Sequence, residues 1–237
     1  MIVSAMVLAA GRGERMRPLT DTMPKPLVSV AGKPLIDWQL DLLKDAKVET
    51  AVVNVAYLGH MIEAHLETRT RPNIIISREE EALETGGGIK KALPLLGDDP
   101  FYALNGDVIL TPGSVLPVQH LAQHWNEAEM DALLLLQPIE ETTGYDGKGD
   151  FYLGENGSLR RRKEGEKAPY VFSGVQILHP RLFADAPKGK FSMNVLYNKE
   201  VKADGTLGRI KGVTNDGGWY HVGDMASIRL AEEKLEH

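Results

Sequence analysis

Hydrophobic positions in the first half of the chain alternate between two patterns. Residues 2–8 form a run that is apolar except for Ser4, which is typical of a strand buried on both faces of a sheet. Further short apolar runs follow over 50–55, 73–77 and 101–104. Between the runs, apolar residues recur at helical spacing, for instance at Ile36, Leu40 and Leu43. This alternation predicts an α/β fold with a mostly parallel central sheet flanked by helices.

The second half is less regular. Its pattern predicts helices over 116–128 and 225–234 and strands over 131–139 and 170–178. Residues 151–161 predict a hairpin that turns at 155–157, because Asn-Gly favours tight turns. No internal repeat or low-complexity linker divides the 237 residues. We therefore expect one Rossmann-like domain with an irregular second half, and we leave 235–237 out as a possible tag remnant.

Composition excludes several classes of function. The chain contains no cysteine, which excludes disulfides and thiolate metal sites. Its net charge of −6 does not favour nucleic acid or an anionic membrane as a partner. The apolar start lacks a preceding basic segment and is followed by Arg12, Arg15 and Arg17, unlike a secretory signal. We expect a cytoplasmic protein that holds an anionic substrate with a local cluster of cations.

A glycine-rich segment directly follows the first predicted strand. Gly11 and Gly13 can adopt positive φ, and backbone N–H groups there can cradle phosphate oxygens. Arg15 adds a planar cation, and Lys25 stands between two prolines that fix its backbone. The segment lacks the Gly-Lys-Ser/Thr of a P-loop. By itself Gly-x-Gly equally fits a tight turn; with the two cations it predicts a triphosphate-binding loop.

Two further polar segments follow predicted strands. Residues 84–88, Glu-Thr-Gly-Gly-Gly, precede a predicted helix, whose N-terminus favours anions or polar ligand edges. Asn105-Gly106-Asp107 ends the strand over 101–104. Ligands of open α/β sheets bind at the carboxyl ends of strands, so Asp107 is well placed to hold Mg²⁺.

The pattern Gly-x-Gly-x-Arg-Met-x-Pro-Leu-Thr-x-x-x-Pro-Lys-Pro over 11–26 resembles the N-terminal signature of the sugar-1-phosphate nucleotidyltransferases. Leu-Glu-Thr-Gly-Gly over 83–87 and the Gly-Asp pair ending at Asp107 are similar to other motifs of that family. The resemblance covers nearly the whole chain and is strongest to the N-acetylmuramate-1-phosphate uridylyltransferase group. It implies a nucleotide-binding half over 1–110 and a sugar-phosphate-binding half over 111–234.

The resemblance also implies site residues. The implied catalytic residues are Arg15, Lys25 and Asp107. The implied nucleotide-binding residues are Leu8, Ala10, Gly11, Arg12, Gly13, Glu79, Thr85 and Gly86. The implied sugar-phosphate-binding residues are Asn105, Gly144, Asp150, Lys163, Glu164 and Ser173. Lys163 belongs to a basic run over 160–163, and Arg162 of that run is the alternative contact to the sugar phosphate. If neither residue binds the phosphate, the run is a solvated hairpin strand.

The implied metal site departs from the family pattern. Family members carry a second metal-binding aspartate in a late Trp-x-Asp-Val/Ile-Gly motif, where this chain reads Trp-Tyr-His-Val-Gly-Asp over 219–224. Imidazole is a poor ligand for Mg²⁺. Three hypotheses stay open: His221 ligates the metal, His221 hydrogen-bonds a phosphate, or Asp224 supplies the carboxylate.

The resemblance implies an in-line reaction in which a sugar 1-phosphate attacks the α-phosphorus of a nucleoside triphosphate and pyrophosphate leaves. UTP and N-acetylmuramate 1-phosphate are the expected substrates, as in peptidoglycan recycling. One alternative is a mannose-1-phosphate guanylyltransferase or another sugar-phosphate or phosphocholine nucleotidyltransferase. A second is a non-catalytic nucleotide-sensing regulator. We expect small-molecule substrates only, and a monomer or homodimer.

Overall fold

A computed structural model describes residues 1–235, and its largest element is a nine-stranded sheet. The strands are β1 Ser4–Leu8, β2 Ser29–Val30, β3 Lys33–Pro34, β4 Thr50–Val55, β5 Asn73–Arg78, β6 Phe101–Asn105, β7 Val108–Leu110, β8 Ala132–Pro138, β9 Thr142–Thr143, β10 Phe151–Leu153, β11 Ser158–Arg161, β12 Tyr170–Leu178, β13 Thr206–Thr214 and β14 Trp219–His221. The helices are α1 Leu35–Asp45, α2 Gly59–Leu66, α3 Glu84–Leu96, α4 Pro117–His124, α5 Asn194–Lys199 and α6 Met225–Leu235. The predicted α/β class is confirmed.

The nine strands lie in the order β10-β11-β13-β8-β12-β6-β1-β4-β5. Strands β6, β1, β4 and β5 pair in parallel, as the alternating pattern of the first half predicts. Strand β12 joins the two halves, because it pairs antiparallel with both β6 and β8. The second half thus extends one continuous sheet.

Helices cover both faces of this sheet. In β1, Ala5 and Val7 belong to one buried cluster and Met6 to the other, as alternating side chains of a doubly covered strand must. The first cluster contains apolar residues of α1, α2 and α4, and the second contains those of α3 and α5. Within residues 1–235, the helices are too short or too polar for any to cross a membrane.

A third cluster connects the glycine-rich segment to the end of the chain. Met16 and Val28 pack with Ile228 and Ala231 of α6. Leu235, which the sequence analysis left out with the possible tag, is the last residue of α6 and packs against this cluster. Residues 236 and 237 lie outside the described residues. Helix α6 therefore supports the segment that precedes β2.

The sequence misplaces or misses several elements. Helix α3 begins at Glu84 rather than at Ile89, and α4 ends at His124, before the predicted 128. Strand β13 and helix α5 were not predicted. Gly208 and Gly212 interrupt the pattern of β13, and glycine weakens a strand signal. The hairpin over 151–161 is confirmed.

Adjacent leucines of α3 provide a matched test of the core. Leu96 is 5% exposed in the second cluster, whereas Leu95 is 42% exposed. We expect Leu96→Ala to lower the free energy of unfolding by about 2–5 kcal/mol through lost burial and a cavity. Leu95→Ala should change it by less than about 0.5 kcal/mol. Chemical denaturation measures both, and equal effects would contradict the packing of α3.

Candidate active site

The carboxyl ends of three parallel strands meet in one row. Leu8 at the end of β1 is aligned with Asn54 of β4 on one side and with Asn105 of β6 on the other. A cleft of about 520 Å³ opens above this row. The cleft therefore lies where open α/β sheets bind their ligands.

Most residues expected to bind or act on a nucleotide line this cleft. The predicted residues in its wall are Leu8, Ala10, Gly11, Arg12, Gly13, Arg15, Lys25, Thr85, Asn105 and Asp107. Glu79 and Gly86 are not in the wall.

The glycine-rich segment packs closely against Lys25. Gly13 has φ +66°, and a Cβ there would lie 2.8 Å from the Lys25 Cβ. The Gly13 carbonyl accepts hydrogen bonds from the Met16 N–H at 2.9 Å and the Thr20 hydroxyl at 2.8 Å. Gly11 lacks positive φ and has open space around it, so only Gly13 is required by the backbone.

A cation and a carboxylate form an ion pair in the wall of the cleft. Lys25 Nζ lies 3.3 Å from Asp107 Oδ2, and the lysine side chain is only 12% exposed. His221 Nε2 lies 3.8 Å from the same oxygen. Burial raises the pKa of Asp107, but His221 and Lys25 outweigh it and hold that pKa well below its usual range. Asp107 is therefore ionised wherever the protein is folded near neutral pH.

Strand pairing brings His221 to Asp107. Strands β14 and β7 pair antiparallel, with His221 opposite Val108. The residue after β14 donates its backbone N–H to the Asp107 carbonyl at 2.8 Å. Residues more than a hundred positions apart are thus held side by side by backbone hydrogen bonds.

The His221 ring is held on two sides. It stacks on Trp219, with ring centroids 5.9 Å apart and planes 10° apart. Its Nδ1 lies 3.2 Å from the Gly144 carbonyl, which can only accept. Nδ1 therefore donates its hydrogen to this carbonyl, and Nε2 is the ring nitrogen that faces Asp107.

Asp224 has a different role from His221. Its Oδ1 accepts the Ser227 N–H at 2.8 Å, and the Ser227 hydroxyl in turn accepts the Asp224 N–H at 3.0 Å. This reciprocal pair is the N-cap of α6. The hydrogen bonds from Ser227 lower the pKa of Asp224. The carboxylate is engaged at the helix terminus, which argues against the hypothesis that it replaces His221.

The donor set fits a metal bound mainly by substrate. No group of three or more His, Cys, Asp or Glu side chains within residues 1–235 could hold a metal by itself. Mg²⁺ commonly takes one or two protein carboxylates together with substrate phosphates and waters. Asp107 at the cleft wall meets that requirement, and His221 is the adjacent second donor.

A buried hydrogen-bond chain, absent from the sequence analysis, runs beneath the cleft. The Ala9 N–H donates to Asn54 Oδ1 at 2.7 Å, and Asn54 Nδ2 donates to Glu79 Oε1 at 2.7 Å. The other oxygen of Glu79 accepts the Leu83 N–H at 2.8 Å. Glu79 is 6% exposed, both of its carboxylate oxygens are engaged within the protein, and it does not line the cleft. It ties the starts of two cleft loops together.

The three glycines at the start of α3 make room for other parts of the chain. A Cβ on Gly86 would lie 2.4 Å from the Phe191 ring, and one on Gly87 would lie 2.4 Å from the Gly189 carbonyl. One on Gly88 would lie within 3 Å of the Asn54–Glu79 pair. The absence of a side chain at these three positions is therefore required by the packing of the chain on itself.

A second, smaller cavity of about 150 Å³ adjoins the cleft, and Thr85 and Asn105 line both. The other residues in its wall are Phe172, Gln176, Ser192, Met193, Asn194 and Tyr197. Of the predicted sugar-phosphate-binding residues, all of which the structure describes, only Asn105 lines this cavity.

The other predicted sugar-phosphate residues lie elsewhere. Ser173 is fully buried, and Gly144 packs beneath the backbone of His221. Asp150 accepts a backbone hydrogen bond from β12 at 2.9 Å. Lys163 and Glu164 are exposed in the loop after β11 and line neither cavity.

Within the basic run, Arg161 bonds a residue that lines the second cavity. Its guanidinium donates to Asn194 Oδ1 at 2.7 Å. Arg160 stacks over the Tyr152 ring at 4.0 Å, and Arg162 donates to the Gly149 carbonyl at 2.8 Å. Arg162 and Lys163, the two expected residues, do not line the second cavity.

Asn54 had a signal in the sequence, since it is a polar residue near the end of an otherwise apolar strand. Apart from Thr85 and Asn105, the polar residues of the second cavity had none, because they belong to β12, α5 and the segment between them.

Comparison with known proteins gives consistent matches. The family described as "Nucleotidyl transferase" matches residues 4–237. N-acetylmuramate alpha-1-phosphate uridylyltransferase of Caulobacter vibrioides is 48% identical over 236 residues, covering 98% of this chain and 96% of that protein. The protein of the same description from Neisseria meningitidis serogroup B is 37% identical over 243 residues, covering 97% of each.

A solved structure supports the fold. HddC from Yersinia pseudotuberculosis, complexed with GMP-PN, superposes with a TM-score of 0.78 over 99% of this chain and 100% of its own. At 20% sequence identity, this likeness concerns the fold alone.

Glu79→Gln tests the hydrogen-bond chain beneath the cleft. The amide keeps one acceptor for Asn54 but turns an N–H₂ toward the Leu83 N–H. We expect a loss of about 1–3 kcal/mol in the free energy of unfolding and weaker nucleoside triphosphate binding. Glu80→Gln, an exposed neighbour, should change neither quantity. Unaltered stability and binding in Glu79→Gln would contradict the role of the chain.

Proposed function

This chain belongs to the nucleotidyl transferase family, and on that premise we propose that it joins the uridylyl group of UTP to N-acetylmuramate α-1-phosphate and releases pyrophosphate. Two relatives with that activity in their names match this chain over nearly their whole length, which supports the choice of substrates. The structural observation that carries the proposal is one cleft lined by the glycine-rich segment, Lys25 and Asp107.

The charges at the cleft suit this reaction. The nucleophile, a phosphate oxygen of the sugar 1-phosphate, is already an anion, so no general base is needed. It forms a bond to the α-phosphorus while the bond to the bridging oxygen breaks and pyrophosphate leaves. Arg15 and Lys25 would stabilise the charge that develops on the phosphates, and the loop at Gly13 would position them.

We propose Mg²⁺ as the metal, held by Asp107 with His221 beside it. When bound, it would neutralise charge on the phosphates. Asp107 is ionised and already paired with Lys25, so this side chain can hold a cation at the place where the triphosphate would lie. His221 presents Nε2 to the same place, which supports its presence in the site.

We further propose that 1–110 bind the nucleotide and 111–234 the sugar phosphate. Strand β14 of the second half completes the site around Asp107, and the second cavity draws most of its wall from that half. A role in peptidoglycan recycling in the cytoplasm accords with the proposed substrates. Size-exclusion chromatography distinguishes between a monomer and a homodimer, the two states that we expect.

A substrate matrix tests the proposed function. Pyrophosphate release is measured with UTP, GTP, CTP and ATP against the 1-phosphates of N-acetylmuramate, N-acetylglucosamine, glucose and mannose, and with phosphocholine. We expect the highest kcat/KM with UTP and N-acetylmuramate 1-phosphate. A preference for GTP and mannose 1-phosphate would support the guanylyltransferase alternative. Nucleotide binding with no turnover of any pair would support a regulator.

Asp107→Ala tests the proposed metal carboxylate. We expect kcat to fall at least about 1,000-fold, because a charge-stabilising group is removed from the transition state. Asp98→Ala removes an exposed aspartate that lines neither cavity and should keep full activity. An active, folded Asp107→Ala protein would rule out this assignment.

His221→Asp restores the residue that the family pattern carries. Carboxylate is a better Mg²⁺ ligand than imidazole, so we expect half-maximal activity at a Mg²⁺ concentration about 10-fold lower than in the unaltered protein. His221→Ala should raise that concentration. If neither substitution changes the Mg²⁺ dependence, His221 is not part of the metal site.

A further inference from the structure

The wall of the second cavity contains amides whose orientation can be determined from their partners. The Tyr197 hydroxyl and Gln176 Oε1 lie 2.5 Å apart, and both side chains are almost completely buried. A buried hydroxyl proton needs an acceptor, and only the oxygen of the amide can accept. Gln176 therefore turns its oxygen to Tyr197. Gln176 Nε2 has no hydrogen-bond partner within residues 1–235, so it can donate to a molecule in the cavity.

The same argument applies to Asn194, which also lines the cavity. The Arg161 guanidinium, which can only donate, bonds Asn194 Oδ1 at 2.7 Å, so this oxygen is the acceptor. The amide nitrogen of Asn194, Nδ2, is then available to donate, and Asn194 lines the cavity. Two amides thus offer N–H donors to the same 150 Å³ space.

The charge around this cavity is positive. No Asp or Glu is in its wall. Arg161 forms no salt bridge within residues 1–235, and its other guanidinium hydrogen bond goes to the neutral side chain of Asn198. Burial lowers the pKa of Arg161, opposed by Asp150, whose carboxylate is itself engaged by a backbone N–H of β12. A partly desolvated cation therefore lies behind the donors.

We propose that the second cavity binds the carboxylate of an acidic sugar and makes Gln176 and Asn194 specificity-determining residues. This inference rests on the proposed function, in which the sugar 1-phosphate lies in the adjoining cleft near Asp107. The wall shared at Thr85 and Asn105 allows one substrate to occupy both spaces. Carboxylate oxygens accept from amide N–H groups, and Arg161 adds attraction without touching the ligand.

The test compares kcat/KM for N-acetylmuramate 1-phosphate with that for N-acetylglucosamine 1-phosphate, which lacks the carboxylate. Asn194→Asp keeps an acceptor for Arg161, neutralises its charge and replaces the cavity donor with an anion. We expect it to lower the acidic-to-neutral ratio of kcat/KM about 100-fold. Gln176→Glu, which keeps the Tyr197 bond, should shift the ratio in the same direction.

Asn198→Asp is the matched control. Asn198 is exposed, belongs to the same helix and bonds the same guanidinium, but does not line the cavity. We expect it to change the ratio by no more than about 3-fold, since it alters only the charge of Arg161. Thermal unfolding of each variant shows whether it is folded. If Gln176→Glu does not fold, Asn194→Asp still tests the proposal, because Asn194 is exposed and its substitution is tolerated more easily.

The outcomes separate this inference from the proposed function. Equal losses for both sugars in Asn194→Asp, or equal losses in Asn194→Asp and Asn198→Asp, would overturn the carboxylate site while leaving uridylyl transfer intact. An unaltered protein that accepts both sugars equally well would also overturn it. An unaltered protein that uses UTP with neither sugar would instead overturn the proposed function.

Discussion

The register of β6, β1 and β4 is the constraint on which the site depends. It places Asn54 and Asn105 beside Leu8 at one edge of the sheet, directly where the glycine-rich segment begins. Shifting β4 by one residue would turn Asn54 to the other face and remove the acceptor of the Ala9 N–H. Because both faces of these strands are buried against helices, the register is strongly specified. The positions of Asn54 and Asn105 at the cleft are specified equally strongly.

Backbone pairing with the second half completes the cleft. Strand β14 places His221 beside Asp107, and the segment ending at Phe191 accepts the Gly87 N–H at 2.9 Å at the start of α3. These contacts link the start of α3, which lines the cleft, with the segment after Phe191, which lines the second cavity. The glycines of α3 therefore meet a packing requirement of this chain and also resemble a ligand-binding motif.

Glu79 and Arg161 show where inference from motifs reaches its limit. Glu79 stands at a position that the resemblance associates with nucleotide binding, yet both of its oxygens are engaged inside the protein. Arg161 looked like one member of a solvated basic run, yet it is the member whose partner Asn194 lines a cavity. A side chain's neighbours across the sheet decide its role, and those neighbours are distant in sequence.

The sequence by itself determined the α/β class, the four strands of the first half and their helical connections, the glycine-rich segment and the family. These depend on local periodicity and on motifs of contiguous residues, such as the one that contains Arg15 and Lys25. Only the tertiary structure decided that His221 faces Asp107, that Asp224 caps α6, and which polar groups line the second cavity. The physical reason is that hydrogen-bond partners and burial arise from residues far apart in the chain, which a one-dimensional pattern does not bring together.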